Sequence, residues 1–152
     1  MSTSRDFWKV PPRIKVYEAL GSIADGRVHM LSDSEAVVIS SDGSRRYTVR
    51  VSGEAVSSDD NGSVYRGYLG YPALAVLMLK GVLPFDESVA SQLKDIPWRE
   101  LNERFGRYDL VERYVLERVP DPDAVKRFVD KVYRILKSKR FRRLRGVQTT
   151  LF

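Results

Sequence analysis

At 152 residues with no cysteine, the chain is long enough for one domain to bury a core unaided, and disulfides, thiolate metal sites and thiol nucleophiles are excluded. Hydrophobic residues at 43% and charged residues at 30% exclude disorder by composition. The longest apolar run, Tyr71 to Leu79, falls far short of the roughly 20 residues of a membrane helix, and no charged-then-apolar leader opens the chain, so a cytoplasmic protein without a membrane partner is expected.

Asparagine and glutamine occur only as Asn61, Gln92, Asn102 and Gln148, while Lys, Arg and Glu are abundant. Heat-adapted proteins avoid thermolabile amides and favour ion-pair networks, and a thermophilic origin is the corresponding expectation.

Pro11-Pro12 precedes Arg13 to Leu20, where Ile14, Tyr17 and Leu20 recur at three-residue spacing and Gly21 offers a stop. One short helix is predicted. From Arg27 the period changes to two. Arg27–Met30, Glu35–Ser40, Arg45–Val51 and Ala55–Ser58 read as short strands separated by turn-forming clusters of Ser, Asp and Gly, hence an antiparallel meander. In the third of these, Tyr47, Val49 and Val51 alternate with Arg46, Thr48 and Arg50, which leaves one face wet.

After the turn Asp59-Asp60-Asn61-Gly62, Pro72 opens an all-apolar helix, Ala73 to Lys80, closed by Gly81. It is the expected central core helix. Asp86 caps a helix carrying Val89, Ala90 and Leu93; Pro97 opens another with Trp98, Leu101 and Phe105 on one stripe; Tyr108, Val111 and Val115 mark the next. Pro120-Asp121-Pro122-Asp123 breaks the chain before a last helix with Val125, Phe128, Val129, Val132 and Leu136 on its apolar side. That stripe fails at Lys139 and Arg143, so the docked helix should end near Ser138. The expected fold is α+β: a short N-terminal helix, a meander of three to four strands, then four to five helices. Residues 1–138 would form one domain and residues 139–152 a basic C-terminal arm or short attached segment.

Charge is unevenly placed. Residues 126–152 carry ten Lys or Arg against the single acid Asp130, a net +9, so with the whole chain at +6 the remainder sums to −3. Lys126, Arg127, Lys131, Arg134, Lys137, Lys139, Arg140, Arg142, Arg143 and Arg145 are therefore the candidate nucleic-acid-binding residues. Concentrated cations attract polyanions, and arginine forks pair phosphates. Such a segment reads phosphate rather than base sequence, so the expected partner is DNA or RNA without sequence preference. A solvated helix face with a basic tail is the bland alternative. A homodimer or a protein partner is the other functional class, motivated by the apolar helices after Gly81 and by Phe141, Leu144, Leu151 and Phe152.

Ser40 to Asp60, followed by Gly70-Tyr-Pro-Ala-Leu-Ala-Val-Leu-Met-Leu-Lys80, resembles a SWIM domain over some 40 residues. In that family a β-hairpin ending in Cys-x-Cys precedes Cys-x-His at the start of an apolar helix, and the four ligands hold one zinc. The resemblance puts the ligand positions at Ser58, Asp60, Gly70 and Pro72, of which only Asp60 is a reasonable zinc ligand. A degenerate, metal-free version of the scaffold is the expectation. Zinc-bearing members tend to bind DNA or proteins, and the resemblance implies the same association here.

No catalytic constellation is predicted and no cofactor is expected. His29, the only histidine, lies on a strand and reads as structural. Asp59-Asp60 and Asp121/Asp123 belong to turn chemistry, and Gly67 to Gly70 is too short for a phosphate cradle. Tyr65, Tyr68 and Tyr71 around Arg66 have the composition of a binding surface. With one tyrosine face open beside Arg45, Arg46 and Arg50, they would make a second nucleic-acid patch. The alternative for these tyrosines is packing over the core helix.

Overall fold

The structure is a computed structural model and describes residues 6–145. Helix α1 runs Ile14–Ala24 and is buried on nearly every side. It continues past the glycine expected to stop it. An added Cβ at Gly21 would fall 2.7 Å from Trp98 Nε1 and 3.0 Å from the Leu93 carbonyl. Gly21 is therefore a contact that lets a later helix close onto α1, and the chain instead turns at Gly26, with φ +70°.

The meander is present as β1 (Val28–Met30), β2 (Glu35–Ile39), β3 (Arg46–Ser52) and β4 (Ala55–Ser58), consecutive neighbours paired antiparallel. Val49, Val51 and Val56 are buried on the face covered by α2 (Tyr71–Leu79), while Arg46 and Arg50 face solvent. Residues Pro72 to Met78 are buried all round, as the lack of any polar stripe requires. The core therefore has two fully embedded helices, α1 and α2, packed on each other.

Helices α3 (Glu87–Ser91), α4 (Trp98–Phe105), α5 (Tyr108–Leu116) and α6 (Pro122–Ser138) complete the α+β fold. Asp86 caps α3 by accepting from the Val89 N–H, and Asp121 caps α6 through Ala124 N–H. The α6 apolar side, Val125, Val129, Val132 and Leu136, is consumed within the protomer. Among the described residues no helix is long and apolar enough to cross a membrane.

The C-terminal segment is attached rather than projecting. Phe141 is 2% exposed, and β5 (Arg142–Arg143) joins the sheet parallel to β4. The Trp8 N–H donates to the Phe141 carbonyl at 2.9 Å, and Trp8 Nε1 donates to the Val56 carbonyl at 2.8 Å. The folded body thus extends past Ser138 through Arg145, because Phe141 is a core residue leading into β5, beyond the helical stripe of α6. The rest of the expected arm, residues 146–152, lies outside the described residues.

A polar cleft and the basic C-terminal segment

Beside α1 lies a cleft of about 840 Å³, bordered by α4, α5, the β2–β3 turn, the loop after β4 and the first residue of α2. Its floor begins with two residues one helical turn apart on α1. Lys15 Nζ lies 3.3 Å from Glu18 Oε2, and these side chains are only 13% and 5% exposed. Asn102 Nδ2 on α4 donates to the same oxygen at 3.2 Å. Burial would by itself lower the Lys15 pKa, but the adjoining Glu18 carboxylate overrides it and the ammonium is held above its ordinary range.

Arg27 is fixed in the same cleft. Its Nε donates to Asp25 at 3.1 Å and its Nη1 to the Ile39 carbonyl at 2.7 Å. Tyr71 lies beside this guanidinium and Tyr47 packs edge-on against Tyr71, ring centroids 6.2 Å apart. Burial raises the phenol pKa of Tyr71, Tyr47 and Tyr68, so these groups remain hydrogen-bond donors across neutral pH. Arg27 Nη2, Trp98 Nε1 and Asn102 Oδ1 are buried without a hydrogen-bond partner, and all three residues line the cleft. Orphaned buried polar atoms are uncommon and costly.

The walls are tied down by short-range chemistry. The Asp42 carboxylate accepts from the hydroxyls of Ser44 and Ser40 and from the Ser44 N–H. Those bonds hold it well below the usual carboxylate range, the Ser44 hydroxyl contributing most. Arg99 then bridges this turn to α4, donating to Ser44 Oγ at 2.9 Å and lying 3.4 Å from Glu103. On the other wall a π-helical turn, Gly62–Arg66, carries Tyr65, 79% exposed, and the exposed Arg66 at the lip, facing a cleft that Arg45 also borders.

That turn hangs from one buried carboxylate. Asp60, 6% exposed, accepts from Ser58 Oγ at 2.5 Å, Ser63 Oγ at 2.8 Å and Ser63 N–H at 3.2 Å. Gly70 N–H reaches Ser63 Oγ at 3.3 Å, and an added Cβ at Gly70 would fall 1.9 Å from Asp60 Oδ2. Ser58, Asp60 and Gly70, aligned above with zinc-ligand positions, thus gather around a hydrogen-bonded carboxylate, while Pro72 sits in the first turn of α2. No group of three or more His, Asp or Glu suited to a metal occurs among the described residues.

The basic candidates divide into two sets. Lys126, Arg127, Lys131, Arg134 and Lys137 are exposed along α6. The others contact the protein, although Arg140, Arg142 and Arg145 remain exposed. Lys139 pairs with Glu54 at 2.6 Å, Arg140 and Arg142 lie over the Phe7 ring at 4.7 and 5.6 Å, and Arg145 pairs with Asp6 at 3.1 Å. Arg143 stacks 4.4 Å from the Trp8 ring and reaches the carbonyls of Phe7 and Gly67 at 3.4 and 3.5 Å. His29 is exposed on the edge strand β1 rather than packed inside.

Tyr65, Arg66, Tyr68 and Tyr71 were singled out by composition, and the structure gathers them with Arg45 around the cleft; Arg46 and Arg50 are not among its lining residues. Lys15, Glu18, Arg27, Asn102 and Tyr108 carried no such signal. On an isolated helix, Lys15 and Glu18 look like an ordinary solvent-facing pair; only α4 and α5 enclose them.

No curated protein and no solved structure matches the chain. One family model, described as "Uncharacterised conserved protein UCP014422", matches residues 8–142. That span runs from the Trp8 clasp through the whole cleft to β5, and the chain belongs to this family.

Proposed function

We propose that the protein is a non-enzymatic nucleic-acid-binding module whose principal site is the cleft, with single-stranded DNA or RNA as its ligand. The observation that carries this reading is the exposed Tyr65 beside Arg66 at the mouth of a cleft that also holds Arg45, Arg27 and Lys15. Bases stack on aromatic rings at about 1–3 kcal/mol each, while neighbouring cations track the phosphates. A cleft of about 840 Å³ is within the roughly 300–1,000 Å³ range of ligand pockets. Binding rather than catalysis fits a floor whose acid and base, Glu18 and Lys15, are paired with each other.

The exposed cations of α6 support a subsidiary role, a sequence-independent attraction for phosphate. If about five phosphates were contacted, affinity for a single strand would fall with salt at a log–log slope of about −3.5. Titrating a fluorescent single-stranded oligonucleotide by anisotropy at several salt concentrations tests the reading. Binding that weakens as salt rises is expected; no binding even at low salt overturns it.

Self-association, the other class raised by the sequence, has a different basis from the one expected, since the helices' apolar faces are spent internally. Met30 and Leu31 at the edge strand β1, with Leu79 at the end of α2, are exposed at 39%, 59% and 43%. Light scattering over a concentration series tests it: a rising mass supports a dimer through this edge, and a constant monomer mass removes it.

A further inference from the structure

We propose that the floor of the cleft takes a phosphomonoester, so that a strand is held by its phosphorylated end. The inference rests on the nucleic-acid reading and adds to it which part of the strand enters.

The two buried acids of the cleft are already engaged. Glu18 receives Lys15 and the Asn102 amide, and Asp60 receives Ser58 and both polar groups of Ser63. Donors remain. Lys15 has three N–H bonds and donates to one acceptor, Glu18. Arg27 Nη2 has none. The phenols of Tyr68, Tyr71 and Tyr108 border the same space, Tyr68 and Tyr108 sharing one hydrogen bond and Tyr71 lying against Arg27, with the Tyr108 ring 5.0 Å from Lys15 Nζ. Trp98 Nε1 instead packs against Gly21 on α1.

A donor-rich cleft, whose lining carries the five cations Lys15, Arg27, Arg45, Arg66 and Arg99 against the three acids Glu18, Asp60 and Glu103, calls for a ligand with several acceptor oxygens and negative charge. A phosphomonoester offers three terminal oxygens and about −1.5 to −2 charge at neutral pH. A phosphodiester within a strand offers only two such oxygens and one charge, with a chain leaving on both sides. The floor is closed off by buried residues while the lip is exposed, which suits an end better than a passing backbone. Asn102 Oδ1, an acceptor without a partner, matches a sugar hydroxyl next to the phosphate.

One oligonucleotide, made with a 5′-phosphate, with a 3′-phosphate and with neither, is titrated against the full chain, with a nucleoside monophosphate and inorganic phosphate as competitors. One phosphorylated form should bind at least about tenfold more tightly than the unphosphorylated strand, as charge-assisted hydrogen bonds require. The nucleoside monophosphate should erase that advantage. Tyr71→Phe, which keeps the ring, should shrink the ratio of phosphorylated to unphosphorylated affinity severalfold, and Lys15→Gln should shrink it further. If Lys15→Gln fails to fold, Tyr71→Phe carries the test alone. Equal affinity for all three strands overturns the phosphomonoester inference and leaves the nucleic-acid reading standing. Binding of the nucleoside monophosphate with no binding of any strand does the reverse.

Discussion

The cleft and the C-terminal basic segment contain the same kinds of side chain in opposite states. In the segment after Ser138, each cation is engaged by the protein at least once, through Glu54, Asp6, Phe7, Trp8 and backbone carbonyls. In the cleft, charged and polar groups are held in place with bonding capacity unspent, Arg27 Nη2 and Asn102 Oδ1 among them. Charge density along a sequence measures how much cation is present; only packing decides how much is offered to a partner. The difference also separates two uses of burial. Around Phe141 burial seats β5 at the sheet edge, whereas around Glu18 it preorganises a surface that stays open.

The sharpest way to break the comparison is to attack the support of each region. Replacing Leu77, fully buried in α2, with alanine should lower stability by about 2–5 kcal/mol and so disturb both regions together, as read by denaturant unfolding. A chelator should leave the melting temperature unchanged, since Asp60 and its serine partners, not a metal, brace the loop on this account. Stoichiometric zinc by elemental analysis would contradict that. Gly70→Ala is more selective. The backbone at Gly70 is extended, so the whole effect is the clash with Asp60, about 1–3 kcal/mol. It should loosen the Tyr65 turn and leave β5 protected, an asymmetry that amide hydrogen exchange would reveal.

A smaller effect distinguishes the two regions by pH. Tyr71 and Lys15 both have pKa values raised above their ordinary 10.0 and 10.5. Folding therefore favours their protonated forms. Their contribution to stability is fully present below about pH 10 and is lost as pH rises through the folded-state values. Alkaline unfolding should begin at the cleft, and Tyr71→Phe should flatten the alkaline limb of the stability profile. Absorbance titration of tyrosinate should show Tyr71 ionising above the ordinary phenol range.

Much of the fold was legible because local signals agreed. The period-two segments became β1 to β4, the unbroken apolar run became α2, and Asp86 and Asp121 capped the helices they precede. Errors arose where a residue's role is set by a distant partner. Gly21 reads as a stop and is a contact with Trp98. The stripe of α6 fails at Lys139 and Arg143 and the helix does end at Ser138, but nothing local shows that Arg142 and Arg143 then pair beside β4, more than eighty residues earlier. The candidate site was legible only at its lip, where tyrosines and Arg66 are adjacent in sequence. Its floor is assembled from α1, the chain before β1, and α4, and no local pattern announces it.

The central claim, that the cleft rather than the C-terminal basic surface is the principal site, is tested most directly by comparing two double variants for binding a single-stranded oligonucleotide at fixed low salt. Tyr65→Ala with Arg66→Ala strips the lip, while Arg134→Ala with Lys137→Ala strips the exposed end of α6. Loss of one stacked base and one phosphate contact predicts a fall of at least about tenfold for the first, against about two- to threefold for the second, with both proteins melting as the wild type does. The reverse order, a large loss from α6 and little from the lip, would contradict the account.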